Sequence, residues 1–341
     1  MNSELSVLNR QLLDAAGKGC IGKIRQLLER GVNVNVANKE GWTALMFAAR
    51  KGHTETAQYL LECGASVDAA NKLLGYKFGD TALKIAAACG HLETVQCLLA
   101  HDADVNAANT KSTVLMAAAS YGHLKIVQCL LAHGANVDAA NRKGWTALMV
   151  AAREGHTKTV QYLLERTAKV DAVTKKGWTA LMAAAREGHT ETVQCLLEHG
   201  AKVNAADKCG MTALMVAALK GRTEMVQYLL ERGARVDAAT KYGWTALMKA
   251  ASEGHTETVQ CLLRAGADID ARGEAGWTAL QYAVWCGDVD MVKFLLDCGA
   301  SVDVQGAYGR TALELAQENE LGEVARILKK ARNAGAVRRR E

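Results

Sequence analysis

The chain has 341 residues, half of them hydrophobic, yet it carries only three Phe, no Pro and a net charge of +5. That composition can build a core, but with so few large aromatics it favours close packing of small-residue helices over one large globular core. Met1 to Arg10 holds no basic segment followed by an apolar run, and nowhere do about eighteen apolar residues run together, so a spanning helix is excluded and a cytoplasmic protein is expected. Passage into a host cell would need a non-classical secretion route.

From the N-terminus, residues 1–37 read as a capping unit. Ala15 and Ala16 form a small apolar pair, Leu27 and Leu28 a second one, and Gly31 stops the second helix. The first helix also carries Arg10, Gln11, Asp14 and Lys18, which suits a face turned to solvent.

Residues 38–304 are edited copies of one stretch, seen most clearly in Thr174 to Ala206, TKKGWTALMAAAREGHTETVQCLLEHGAKVNAA. Thr179 is placed to cap a first helix whose Leu181, Ala184 and Ala185 share a face, and Gly188 ends it. A second helix starts near His189 or Thr190, with Glu191 in its first turn and Val193, Leu196 and Leu197 on one side. Gly200 suits a left-handed helix end, and Val203 is the expected apolar anchor of an extended finger leading to the next copy. A single copy cannot bury its own apolar face, but a stack of copies can.

Thr43, Thr81, Thr113, Thr146, Thr179, Thr212, Thr245, Thr278 and Thr311 open successive first helices, and from Thr113 onward the step is 33 residues. This period, the Gly-x-Thr-x-Leu finger, AA-x-x-GH and LL-x-x-GA-x-V together resemble the ankyrin repeat over nearly the whole chain. The resemblance implies an all-α, elongated and curved solenoid of helix-turn-helix units with β-turn fingers. One departure is clear: the family's Thr-Pro-Leu-His opening is here Thr-Ala-Leu-Met, as at Thr146 to Met149, which removes a preset first turn and a polar link to the threonine.

Two places break the rhythm. The finger at 71–80 is enlarged by about five residues, and Leu73, Leu74, Tyr76 and Phe78 are either a tolerated insertion or an apolar tip that meets a partner. The finger at Asn109 is one residue short, with Ser112 where other copies have Gly and Trp. At the far end, 305–330 reads as a polar C-terminal cap with Gln317, Glu318, Asn319 and Glu320, and 331–341 as a basic disordered tail.

The ten cysteines and nine histidines follow the repeat. Cys97, Cys129, Cys195 and Cys261 alternate with Tyr59, Tyr162, Tyr228 and Phe294 in one slot, which marks a packing position holding reduced thiols. His53, His91, His123, His156, His189 and His255 precede second helices, where histidines of the resembled family bond loop backbone between units. His101, His133 and His199 share a later slot. No zinc spacing, phosphate loop or catalytic constellation is legible, so no metal, no cofactor and no enzyme is expected.

The finger side carries the candidate site. Trp42, Trp145, Trp178, Trp244 and Trp277 each precede the capping threonine, and Trp285 ends a first helix. Either the indoles stiffen the array or their edges anchor a partner. Lys143, Lys176, Lys208 and Lys241 at the finger tips are joined by Lys39, Lys111, Arg142 and Lys175, against only Glu40 and Glu274, while Arg153 and Arg186 add charge from the first helices. With Leu74 and Tyr76 of the enlarged finger, these residues are the expected partner-binding set on a concave groove. The resemblance implies a monomeric scaffold gripping an acidic or apolar protein segment, and stand-alone arrays of this kind are similar to host-interacting effectors. The alternative is a nucleotide or single-stranded nucleic acid, with bases stacked on Trp and phosphates on Lys.

Overall fold

The computed structural model describes residues 2–72, 79–273, 276–306 and 309–338, which form two compact units, Met1–Lys175 and Lys176–Glu341. Unit 1 holds α1 (Asn2–Gly17), α2 (Ile21–Glu29), α3 (Ala44–Lys51), α4 (Thr54–Glu62) and α5 (Ala82–Cys89). It continues with α6 (Leu92–Ala100), α7 (Val114–Ser120), α8 (Leu124–Ala132), α9 (Ala147–Arg153) and α10 (Thr157–Glu165). Unit 2 holds α11 (Ala180–Glu187), α12 (Thr190–Glu198), α13 (Ala213–Leu219), α14 (Thr223–Glu231) and α15 (Ala246–Ser252). Its remaining helices are α16 (Thr256–Arg264), α17 (Ala279–Trp285), α18 (Val289–Asp297), α19 (Ala312–Glu318) and α20 (Gly322–Arg338). The fold class is all-α: among the described residues extended pairing is limited to isolated bridges such as Ala37 with Thr43 and Ala206 with Thr212.

Within unit 1 the first helices stack in series, α1 on α3, α3 on α5, α5 on α7 and α7 on α9, and each packs on its own second helix. Unit 2 repeats the scheme from α11 through α19. A first helix therefore has neighbours on nearly every side. In α11 all of Ala180, Leu181, Met182, Ala183, Ala184 and Ala185 are buried, where the sequence reading assigned only one apolar face. Alanines let the backbones approach closely, and methionine fills the remaining gap: Met149 and Met182 are 1% and 0% exposed. The histidine missing from the Thr-Ala-Leu-Met openings is thus replaced by packing rather than by another polar link.

Each expected threonine cap is present. Thr146 and Thr179 accept hydrogen bonds from the backbone N–H of Met149 and Met182 at 3.4 and 3.2 Å. Gly188 takes a left-handed φ of +86° at the end of α11, a conformation that costs other residues about 1–2 kcal/mol. The second helices bury one residue that apolar patterning missed. Thr94 and Thr258 are 0% and 1% exposed, and their hydroxyls meet those of Thr54 and Thr223 at 2.8 Å, so a polar group is buried with its partner. Val203 is only half-buried; the anchor after α12 is Ala201, at 9% exposure.

Histidine ring nitrogens bridge consecutive copies. Nε2 of His53, His123 and His156 lies 3.2, 3.2 and 3.0 Å from the carbonyl oxygens of Gly17, Ala88 and Ser120 in the preceding copy. A carbonyl only accepts, so Nε2 carries the proton. His101, His133 and His199 instead bond the carbonyl four residues back in their own helix.

The last helix, α20, runs past residue 330 to Arg338, and residues 339–341 of the expected tail lie outside the described residues. Lys329, Lys330, Ala331 and Arg332 are good helix formers, no proline stops the run, and Arg332 Nε pairs with Asp303 Oδ1 at 3.2 Å. Leu73 to Phe78 of the enlarged finger, which include its roughly five added residues, lie outside the described residues. Among the described residues no helix is long and apolar enough to cross a membrane.

Candidate functional site

Each regular finger is a short hairpin closed by one polar side chain. Asn141 Oδ1 accepts from the backbone N–H of Lys143 and of Trp145, at 2.9 and 3.0 Å, and the Asn141 N–H donates to the Trp145 carbonyl at 2.9 Å. Asp207 does the same for Cys209 and Met211, at 2.8 and 2.9 Å. The tip so formed is pinned to the next finger: Lys175 N–H donates to the Lys143 carbonyl at 2.9 Å in unit 1, and Lys208 N–H to the Lys176 carbonyl at 3.0 Å in unit 2. With a backbone group of each held in these bonds, the lysine side chains are left at the surface. Lys143, Lys176, Lys208 and Lys241 are all exposed and, among the described residues, make no ion pair.

The finger tryptophans are half-buried, and most carry a cation of their own copy over the ring. The Arg50, Arg153 and Arg186 guanidiniums sit 5.6, 5.3 and 6.0 Å from the indole centroids of Trp42, Trp145 and Trp178. Lys249 Nζ lies 3.7 Å from the Trp244 centroid. Such contacts contribute roughly 0.5–1 kcal/mol at exposed sites. Arg153 and Arg186 are further held by Glu154 and Glu187, at 2.6 and 3.6 Å. Thus the structure joins Trp145, Arg153 and Trp178, Arg186 into indole–guanidinium–carboxylate triads, which the eight-residue spacing from Trp to Arg encodes but the sequence reading did not extract. Burial pushes the Lys249 ammonium below its ordinary value, and the Glu253 carboxylate opposes that shift.

Trp277 departs from this pattern. The position eight residues on is Trp285, an exposed indole whose ring meets Trp277 edge-on at 5.5 Å between centroids. Tyr282 lies between Trp244 and Trp277, at 4.0 and 5.2 Å. Of the expected set, Leu74 and Tyr76 lie outside the described residues, as does Glu274.

In unit 1 the tryptophan position is lost twice, at Asp80 and Ser112, and a cavity of about 220 Å³ opens there, lined by Asp68, Thr81, Lys84, Asp104 and Asn109. Lys84 stands where other copies have buried methionine. Its Nζ pairs with Asp80 Oδ1 at 2.8 Å and donates to the Ser112 carbonyl at 3.1 Å, while Asn109 Nδ2 donates to Asp80 at 2.8 Å. Burial holds the Lys84 pKa below its usual range despite Asp80. All ten cysteines are free thiols, and among the described residues no His, Cys, Asp and Glu cluster could hold a metal ion.

The sequence model of a family described as "Ankyrin repeats (3 copies)" matches residues 12–109, 107–174, 168–240 and 235–306. Similar curated proteins include a probable E3 ubiquitin-protein ligase, XBOS33, of Oryza sativa subsp. japonica, 47% identical over 68 residues, or 20% of this chain and 13% of that protein. The human NAD-capped RNA hydrolase NUDT12 is 42% identical over 59 residues, 17% of this chain and 13% of its own length. Human ankyrin repeat domain-containing protein 39 is 38% identical over 60 residues, 18% of this chain and 33% of its own. The chain therefore spans a third or less of the length of these relatives.

Proposed function

Because this chain belongs to the ankyrin-repeat family, whose repeats are protein–protein interaction modules, we propose that it is a non-enzymatic scaffold whose finger tips grip an acidic or apolar segment of a partner protein. The observation that carries this reading is the set of exposed lysines that make no ion pair among the described residues, Lys143 in unit 1 and Lys176, Lys208 and Lys241 in unit 2, each set beside a half-buried indole or its replacement. Fingers fixed by backbone bonds present those charges with little left to order on binding, which lowers the cost of association. The lysines speed encounter with an acidic segment and the aromatic edges supply buried contact area.

Occupied ring faces favour protein over nucleic acid. Bases need free aromatic faces, and Trp42, Trp145, Trp178 and Trp244 each already bear a cation. The test is a pulldown from cell lysate, with and without nuclease, comparing the wild type with a variant carrying Lys143→Glu, Lys176→Glu, Lys208→Glu and Lys241→Glu. A protein retained through nuclease treatment and lost in the variant supports the scaffold. Material that nuclease removes would establish nucleic-acid binding in its place.

A further inference from the structure

The copies of this chain contain their own description of what a finger indole binds. In unit 1, Trp145 takes Arg153 over its face and Glu154 closes the far side of the guanidinium; in unit 2, Trp178, Arg186 and Glu187 do the same. The copy that contains Trp277 has the indole but, among the described residues, no cation over it. Trp285 replaces the arginine and leaves 60% of its surface exposed, so this copy offers two indoles inclined at 60° to each other. A carboxylate is nearby as well. Cys286, next to Trp285, donates its thiol to the Ser252 carbonyl at 3.4 Å, which brings in the neighbouring Glu253, an exposed residue that makes no ion pair among the described residues. Its charge is felt at the Cys286 thiol, whose pKa is raised by burial first and by Glu253 and Asp288 after that. Asp288 is committed to capping α18, where it accepts from Met291 N–H at 3.0 Å.

We propose that Trp277, Trp285 and Glu253 form a receptor for one arginine side chain of a partner protein, whose guanidinium stacks on the exposed ring of Trp285 as Arg153 and Arg186 stack on the indoles of their own copies. An indole face and a carboxylate together match a planar cation better than an ammonium, because guanidinium stacks and donates in its plane at once. The inference rests on the finger side being the binding face. It adds that a segment lying on unit 2 is acidic opposite Lys176, Lys208 and Lys241 but carries a basic anchor at Trp285, which gives the segment a direction.

The experiment follows the tryptophan indole N–H signals by nitrogen-15 NMR while a blocked Gly-Ala-Arg-Ala-Gly peptide is added to the full chain in the millimolar range. The comparison peptide has neutral, isosteric citrulline in place of arginine. The arginine peptide shifts the Trp285 and Trp277 signals, and citrulline binds at least about threefold more weakly, as the loss of one exposed cation–π contact requires. Trp285→Arg replaces the receiving indole by a cation and abolishes the response, and its unchanged urea midpoint shows it folded; should that variant unfold, Glu253→Gln provides the second reading, with binding weakened. No shift with either peptide, equal shifts with both, or a folded Trp285→Arg variant that binds as well as wild type overturns the proposal. The pulldown reads the lysine strip and the titration of the wild-type chain with the short peptide reads the arginine seat, so failure of the one and failure of the other are told apart.

Discussion

Gly144 and Lys175 approach so closely that a Cβ on the glycine would lie 2.8 Å from the lysine backbone nitrogen, the same N–H that donates to Lys143. The glycine also has φ of +83°, so two independent constraints meet at one residue of the finger.

Gly134 separates them. It has nearly the same φ, +82°, but nothing within 4 Å of where a Cβ would stand. Gly134→Ala is therefore expected to cost the conformational term alone, about 1–2 kcal/mol. Gly144→Ala adds the displacement of the next finger and costs measurably more. Urea denaturation of the two variants checks this, and equal midpoints would mean that the fingers yield freely.

The Trp145–Arg153 contact is measurable by a double-mutant cycle. Trp145→Ala, Arg153→Ala and the double variant should give a coupling of about 0.5–1 kcal/mol. Adding Glu154→Gln should reduce the coupling, because the carboxylate holds the guanidinium in place at 2.6 Å. A coupling indistinguishable from zero would show that the stacking contributes no stability.

Successive copies are also joined through one loop residue that is Asn in some copies and Asp in others. Asn204 does two things: Nδ2 donates to the Gly233 carbonyl at 3.0 Å and Oδ1 accepts from Arg235 N–H at 2.9 Å. Asp237, at the same place one copy later, only accepts, from Asp268 N–H at 3.0 Å. Asp237→Asn supplies the missing donor and should stabilise the chain by about 0.5–1.5 kcal/mol, whereas Asn204→Asp should destabilise it by a similar amount. Thermal unfolding of the pair gives opposite displacements if the donor matters.

Lys84 gives a pH signature. Its folded pKa lies below 10.5 because burial disfavours the charged form, so just below that pH the unfolded chain holds a proton that the folded chain has released. Raising the pH through that window therefore favours the folded state. Raised cysteine pKa values act in the opposite sense, so the comparison must be with Lys84→Met, which carries the residue of the regular copies. Wild type should gain stability relative to Lys84→Met as pH rises toward 10.5, read from urea midpoints at neutral and alkaline pH. A constant difference would mean that Lys84 titrates as an ordinary lysine.

Much of this was legible in the residues themselves. The threonines from Thr43 to Thr311 mark every first helix from α3 to α19, because a cap is a local interaction between a side chain and a backbone N–H three positions on. The left-handed glycines, the helix pairs and the solvent-facing lysines were legible for the same reason: each follows from neighbours within one turn. Other features depended on contacts between copies. Apolar patterning marks one face of α11 as buried, but all of Ala180 to Ala185 is buried in a helix that packs on both α12 and α13; Thr94 and Thr258 fall outside the apolar pattern and are buried with their hydroxyl partners in the preceding copy. The sequence by itself determined the fold, the repeat period and which side chains stand at the finger tips, since these are set by periodic local chemistry. Only tertiary structure decided that Arg153 and Arg186 lie over tryptophans, that Lys84 is buried against Asp80, and that Trp285 occupies an arginine position with its surface exposed. Those outcomes are fixed by where side chains converge from separate helices and loops, and spacing along the chain does not state that.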